Sequence, residues 1–127
     1  MSQSLNKNAN KTDSLEALRE RLRNFVEERD WDQFHSPKNL AMAMIVEAAE
    51  LVEHFQWMTE QESKNLSPEK LAQVEHEIAD TFVYLLRISE VLGVDIIQAA
   101  NRKIDLNALK YPVEKARGRN TKYTEFK

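Results

Sequence analysis

The chain has 127 residues, with two glycines, no cysteine and a formal net charge of −3 at pH 7. The lack of cysteine excludes disulfides, thiolate zinc sites and a cysteine nucleophile. Gly93 and Gly118 are too far apart for either common glycine-rich phosphate loop, and the negative charge gives no reason to expect binding to a nucleic acid polymer.

The spacing of apolar residues and the capping residues together predict four helices. The first covers about residues 14–30, with Asp13 as its N-cap. The second begins at Ser36 and Pro37 and continues to about Met58. Because 14 of the 19 residues from Leu40 to Met58 are apolar, we expect that helix to be buried on most of its circumference.

The third helix opens with the same pair of residue types at Ser67 and Pro68, and it ends just before Gly93, a left-handed C-terminal residue. Asp95 is the N-cap of the fourth helix, which continues to about Leu109. No segment alternates apolar and polar residues as a strand does. The predicted fold is therefore all-α and of the four-helix bundle type.

The predicted domain organisation has three parts. Residues 1–13 are polar, which predicts a disordered arm and not a signal peptide. A helical domain covers 14–112, and a basic tail covers 113–127. The longest apolar run, Leu40–Val46, is far shorter than the ~20 residues of a membrane span. We therefore expect a cytoplasmic protein without a membrane partner.

The two most apolar helices carry carboxylates three residues apart: Glu47 and Glu50 in the second helix, Glu77 and Asp80 in the third. Such pairs share a helix face, and the short connection predicts that the two helices are antiparallel neighbours. Four carboxylates in an apolar setting repel one another and lose hydration, and a divalent cation removes both problems. An all-oxygen ligand set suits Mg²⁺, Mn²⁺ or Ca²⁺.

A structural interpretation of the carboxylates stays open. In a non-catalytic helical interaction module, the carboxylates would line a solvated strip or pair with lysine and arginine. A di-iron centre is disfavoured because it needs Glu-x-x-His on two helices. Here His54 is four residues after Glu50, and His76 directly follows Glu75.

Several further segments accompany the acidic motif, and the sequence thereby resembles the all-α nucleoside triphosphate pyrophosphohydrolases of the MazG-like superfamily. Within that superfamily it is most similar to the dCTP pyrophosphatase branch, over about residues 14–126. The matching segments are Glu47-Ala-Ala-Glu50, Glu77-Ile-Ala-Asp80, Glu28–Leu40 (ERDWDQFHSPKNL), Phe55-Gln-Trp57, Tyr84, Lys110-Tyr111-Pro112 and Lys122-Tyr-Thr-Glu125.

The resemblance implies a hydrolase that converts a (deoxy)nucleoside triphosphate, dCTP or a related or modified nucleotide, to the monophosphate and pyrophosphate. It implies that Mg²⁺, with Mn²⁺ as an alternative, is bound by the catalytic residues Glu47, Glu50, Glu77 and Asp80. Glu50 is predicted to be both ligand and base. A relative of dUTPase type, with another base preference, is the alternative enzyme.

The implied substrate needs a stacking surface for the base and donors for the phosphates. The predicted substrate-binding residues are Trp31, Phe34, His35, Trp57, Tyr84, Lys103, Asn107, Lys110 and Tyr111. The tail cations Arg117, Arg119 and Lys122 either complete a site in a partner subunit or belong to a disordered tail. Because two such apolar helices exceed what a small monomer can bury, we expect a homo-oligomer, a dimer or tetramer.

Overall fold

A computed structural model describes residues 14–126, which are helical with no strand. The predicted all-α fold is therefore confirmed for this part of the chain, while the predicted arm over 1–13 lies outside it. Two compact units meet between Gly93 and Val94 in the sequence. None of the helices described is both long and apolar enough to cross a bilayer.

The first unit contains three long helices and two short elements. They are α1 (Leu15–Glu28), a 3₁₀ turn (Asp32–Phe34), α2 (Pro37–Phe55), α3 (Glu60–Ser63) and α4 (Pro68–Val91). The one-turn α3 was not predicted from its polar sequence. It forms because Thr59 and Glu62 make a capping box, in which each side chain accepts a hydrogen bond from the backbone of the other.

The N-caps of α2 and α4 are as predicted. The Ser36 hydroxyl accepts a hydrogen bond from the Asn39 amide (3.1 Å), and the Ser67 hydroxyl accepts one from the Lys70 amide (3.1 Å). The predicted cap of α1 is wrong by one position. Ser14, not Asp13, is the N-cap, because its hydroxyl accepts from the Ala17 amide at 3.0 Å.

Helix α1 ends in a turn that fixes the direction of the following aromatic residues. Asp30 adopts the left-handed backbone conformation (φ 51°), which aspartate tolerates better than most residues. The Trp31 amide donates to the Val26 carbonyl at 3.0 Å, as in a Schellman motif. The Trp31 ring consequently turns back onto α1 and meets Phe25 edge to face, with ring centres 5.6 Å apart.

The core of this unit is a narrow seam. Helix α2 packs along α4, and α1 also contacts α4. The seam contains the buried residues Val26, Leu40, Val74 and Leu86. Each long helix buries one stripe of its surface there and leaves the rest uncovered.

The expectation that α2 is buried on most of its circumference is wrong for the single chain. Only Leu40 of this helix is buried. Its outward apolar side chains keep more than half of their surface exposed: Met42, Ile45, Val46 and Val52. The reason is geometric, since the unit provides α2 with one long helical neighbour, which covers a single stripe.

A substitution at Leu86 tests whether this seam is the core of the unit. The Leu86 side chain is 0% exposed, so Leu86→Ala leaves a cavity and is expected to lower the free energy of unfolding by about 2–5 kcal/mol. Urea denaturation measures the loss. The control is Leu92→Ala at the exposed C-cap of the same helix, which should cost less than about 1 kcal/mol; equal losses would contradict the assignment of the core.

The second unit contains α5 (Ile96–Lys110), α6 (Val113–Ala116) and a 3₁₀ turn (Tyr123–Glu125). The predicted cap is confirmed, since Asp95 accepts a hydrogen bond from the Gln98 amide at 3.1 Å. The Tyr111 ring meets the rings of Tyr123 and Phe126 edge to face, at 5.8 and 5.7 Å. The end of the tail, at Tyr123 and Phe126, therefore packs on Tyr111.

Candidate metal centre and aromatic pocket

Carboxylates from α2 and α4 come together on facing surfaces of these helices. Glu47, Glu77 and Asp80 each offer an oxygen, and the three oxygens lie within 4.8 Å of one another. Glu50 lies beside Glu47 and Glu77, close enough to perturb the pKa of both. The four acidic residues singled out from the sequence thus form one cluster, which we name the carboxylate cluster.

The carboxylates of this cluster disfavour one another as free anions. The pKa of Glu47 is raised by partial burial, by a hydrogen bond with Glu50, and by the negative charges of Glu50, Asp80 and Glu77. The pKa of Glu77 is raised by burial and by Glu50 and Asp80, and is lowered to a smaller extent by His54. A cation between these groups would relieve the repulsion that raises both pKa values.

The cluster has the chemistry of a site for a hard cation. Glu77 Oε2 is buried and has no hydrogen-bond partner in the part of the chain described, which leaves an oxygen available as a ligand. Its other oxygen, Oε1, lies 3.8 Å from His54 Nε2. His54 Nδ1 is in turn 3.2 Å from Lys70 Nζ, so polar side chains lead from Lys70 through His54 towards Glu77. The all-oxygen donor set fits a divalent cation such as Mg²⁺.

Sequence reasoning missed this role of His54, although a signal was present. His54 is four residues after Glu50 and seven after Glu47, so it shares their helix face. Because His54 does not complete a Glu-x-x-His motif, its position in the sequence was evidence only against a di-iron site. The structure places its Nε2 3.8 Å from Glu77 Oε1, beside the carboxylate cluster.

The raised pKa values predict how the metal-free protein responds to pH. A carboxyl whose pKa is higher in the folded state binds its proton more tightly there, so its contribution to stability is present at low pH and lost as the pH rises through the folded pKa. Above the ordinary glutamate value of 4.5, the Tm in EDTA is therefore expected to fall. Thermal unfolding against pH measures this, and a flatter curve is expected for Glu47→Gln. A Tm that rises over this window because of these residues would contradict the assignment.

A second feature, which we call the aromatic pocket, opens between α1, α4 and the connection to α2. It has a volume of about 110 Å³. Three residues predicted to bind substrate meet in it, namely Trp31, His35 and Tyr84. The other lining residues are Leu22, Phe25, Val26, Val83 and Arg87. Tyr84 follows Asp80 by one helical turn on α4, so the pocket and the carboxylate cluster share this helix.

Other predicted substrate residues lie elsewhere. Trp57, in the turn after α2, is 88% exposed, and Phe34 is 60% exposed; neither lines the aromatic pocket. Four more belong to the second unit. Lys103, Asn107 and Lys110 lie on α5, and Tyr111 is its C-cap. Their substrate roles stay predictions.

Arg87 is the functional candidate that the sequence reasoning missed entirely. It is only 5% exposed, and its guanidinium joins α4 to the connection between α1 and α2. Nε donates to His35 Nδ1 at 3.1 Å, and Nη2 donates to Asp32 Oδ1 at 2.6 Å. The signal was a single arginine within the apolar segment Phe82–Leu92, where a charge requires a partner.

Comparisons with known proteins agree with this geometry. Residues 42–126 match the model of the MazG-like family. Proteins named dCTP pyrophosphatase 1 from Homo sapiens and Mus musculus are 40% and 39% identical to the chain over 115 residues, which is 89% of this chain and 68% of each relative. A crystal structure of a pyrophosphatase from Archaeoglobus fulgidus matches with a TM-score of 0.73 and 41% identity, covering 76% of this chain and 91% of that one.

Proposed function

The chain belongs to the MazG-like family, and on that premise we propose that it hydrolyses a nucleoside triphosphate, dCTP or a related or modified deoxynucleotide, to the monophosphate and pyrophosphate. The observation that carries the proposal is the carboxylate cluster one helical turn from an aromatic pocket, on the same helix. Relatives named dCTP pyrophosphatase support the choice of base. The role is removal of unwanted nucleotides from the pool.

In this proposal a divalent cation, Mg²⁺ or alternatively Mn²⁺, is held by Glu47, Glu50, Glu77 and Asp80. When bound, it neutralises phosphate charge and lets an acidic site accept an anionic substrate. His54 keeps the Glu77 carboxylate in place. Glu77 Oε2, which has no donor among the described residues, would be available as a ligand of the cation.

The hydrolytic step needs a base for water, and Glu50 is our candidate because it interacts with both Glu47 and Glu77. Glu50 accepts the proton as the water oxygen bonds to the α-phosphorus. The bond from the α-phosphorus to the bridging oxygen breaks, and pyrophosphate leaves with that oxygen. Attack at the α-phosphorus, and not at the γ-phosphorus, defines the products.

The aromatic pocket is proposed to hold the base. Trp31 and Tyr84 offer aromatic surfaces for stacking. One helical turn, a rise of about 5.4 Å, separates Tyr84 from Asp80. A base bound in the pocket would therefore place its phosphates near the carboxylate cluster. Lys103, Asn107, Lys110 and Tyr111 remain proposed phosphate contacts. Trp57 and Phe34 are proposed to contact substrate from the exposed rim.

The proposal includes a cytoplasmic location, where free nucleoside triphosphates occur, and a homo-oligomeric state. The exposed apolar side chains of α2 and α4 support the oligomer: Met42, Ile45, Val46, Val52, Leu71 and Ile78. An association that covers them would bury apolar surface at about 25 cal/mol per Å². Light scattering at micromolar concentration is expected to give a dimer or tetramer mass, and a monomer mass would contradict this.

A panel of canonical and modified nucleoside triphosphates with Mg²⁺ tests the function. We expect the highest kcat/KM for dCTP or a modified cytosine nucleotide, with pyrophosphate as the second product. A preference for dUTP would favour the dUTPase-type alternative. Diphosphate and phosphate as products would contradict attack at the α-phosphorus, and no turnover of any nucleotide would favour a non-catalytic module.

A further inference from the structure

Arg87 is buried, and its guanidinium makes polar contacts with side chains of two segments. Its guanidinium bonds Asp32 and His35 in the connection before α2, and its Nη1 lies 3.8 Å from Glu90 Oε2, one turn later on α4. Glu90 is in turn paired with Arg23 of α1. The side chains therefore form a continuous chain of charges from α1 through α4 to the wall of the aromatic pocket.

The Arg87–His35 bond determines which nitrogen of the imidazole carries a proton. An arginine Nε–H can only donate, so His35 Nδ1 must accept. A neutral His35 then has its proton on Nε2 and offers a donor from that position. Burial and the Arg87 charge both lower the pKa of His35, and Asp32 raises it to a smaller extent. Neutral His35 is thereby favoured.

The Arg87 guanidinium is taken up by His35 and Asp32, and the other polar side chains that line the aromatic pocket are mostly donors. They belong to Trp31, which has an indole N–H, to His35, which has the Nε2–H, and to Tyr84, whose hydroxyl can also accept. The remaining lining residues are apolar. At about 110 Å³, the pocket is well below the 300–1,000 Å³ typical of sites for whole small molecules. It suits a single ring whose edge presents acceptors, such as the O2 and N3 atoms of cytosine.

We propose that Arg87 is a positioning residue that fixes His35 as a neutral Nε2–H donor in the aromatic pocket and so strengthens binding of a pyrimidine edge that presents acceptors. The inference rests on the proposed function and deepens it. Arg87 acts through His35 and Asp32 and needs no contact with the reacting phosphates. Its loss should therefore raise KM and leave kcat nearly unchanged.

Arg87→Met tests the inference, with Arg21→Met as the matched control. Arg21 is an exposed arginine of α1 with no ion pair in the described part of the chain. For Arg87→Met we expect KM for dCTP to rise about tenfold, the equivalent of one hydrogen bond, with kcat within about twofold and KM for dATP less affected. Arg21→Met should change neither KM.

Two measurements separate positioning from a general structural effect. By NMR on nucleotide-free protein, the pKa of His35 should rise in Arg87→Met, because a positive neighbour and a bond to the neutral ring are both lost. In a His35→Ala background, Arg87→Met should raise KM for dCTP no further. An unchanged His35 pKa, an equal KM effect in that background, or an equal effect of Arg21→Met would overturn the inference.

Arg87→Lys keeps the charge and the aliphatic stem, and it replaces the methionine variant if that protein does not fold. A single ammonium group cannot reproduce the forked contact with both His35 and Asp32. The same changes are expected at smaller size, and wild-type values of KM and of the His35 pKa would overturn the inference. The NMR measurement needs no turnover, so an inactive wild-type protein would refute the proposed function separately.

Discussion

Glu77→Gln is expected to reduce kcat for nucleotide hydrolysis by about a thousandfold or more while the protein stays folded. The substitution keeps the size of the side chain but removes the negative charge of the carboxylate that lies beside His54. Loss of one anionic ligand weakens binding of the cation that neutralises the phosphate charge of the substrate. Steady-state kinetics with saturating Mg²⁺ and circular dichroism measure the two parts of this expectation.

Glu53→Gln is the matched control, because Glu53 lies on α2 three residues after Glu50 but is exposed and outside the carboxylate cluster. It should keep its activity within about twofold. In metal-free buffer at neutral pH, Glu77→Gln should also raise the Tm, since it removes one of the repelling charges. Turnover by Glu77→Gln close to that of the wild type would show that the cluster is structural.

Removal of divalent cations is expected to abolish activity completely. Excess EDTA leaves the carboxylate cluster as a set of uncompensated anions, which repels a triphosphate instead of binding it. Added Mg²⁺ or Mn²⁺ should restore turnover and raise the Tm, because a ligand that binds only the folded state stabilises it. Activity assays and thermal unfolding across a metal titration measure both effects.

Two glutamate variants of α2 test whether the cation binds at the carboxylate cluster. The rise in Tm with Mg²⁺ should be much smaller in Glu47→Gln than in Glu53→Gln, although both lack one glutamate of the same helix. Equal stabilisation of the two variants would place the cation elsewhere. Turnover that persists in excess EDTA would refute the metal-dependent mechanism.

Local sequence signals predicted most of the helical framework. Ser36 and Ser67 precede prolines, and both cap helices as expected, because an N-cap hydroxyl and a proline at the first helical position are local requirements. The spacing of three between Glu47 and Glu50 was enough to place them on one face. That Glu77 and Asp80 meet them followed from the short connection between the helices.

The features that sequence reasoning missed all depend on contacts between distant residues. Arg87 and His35 are 52 positions apart, so no local spacing relates them. The exposure of α2 was mispredicted because apolar composition shows that a surface avoids water but not which partner covers it. Ser14 replaced Asp13 as the cap because both are good capping residues at adjacent positions.

Helix α4 carries four functional candidates at successive spacings of three, four and three residues: Glu77, Asp80, Tyr84 and Arg87. A single helix therefore sets the distance between the carboxylate cluster, where we propose that phosphates bind, and the aromatic pocket, where we propose that the base binds. Substitutions that bend or rotate this helix would disturb both sites together. Under the proposed function, changes of base preference are expected first in the connection that carries Trp31 and His35, which can change while the carboxylate cluster is left intact.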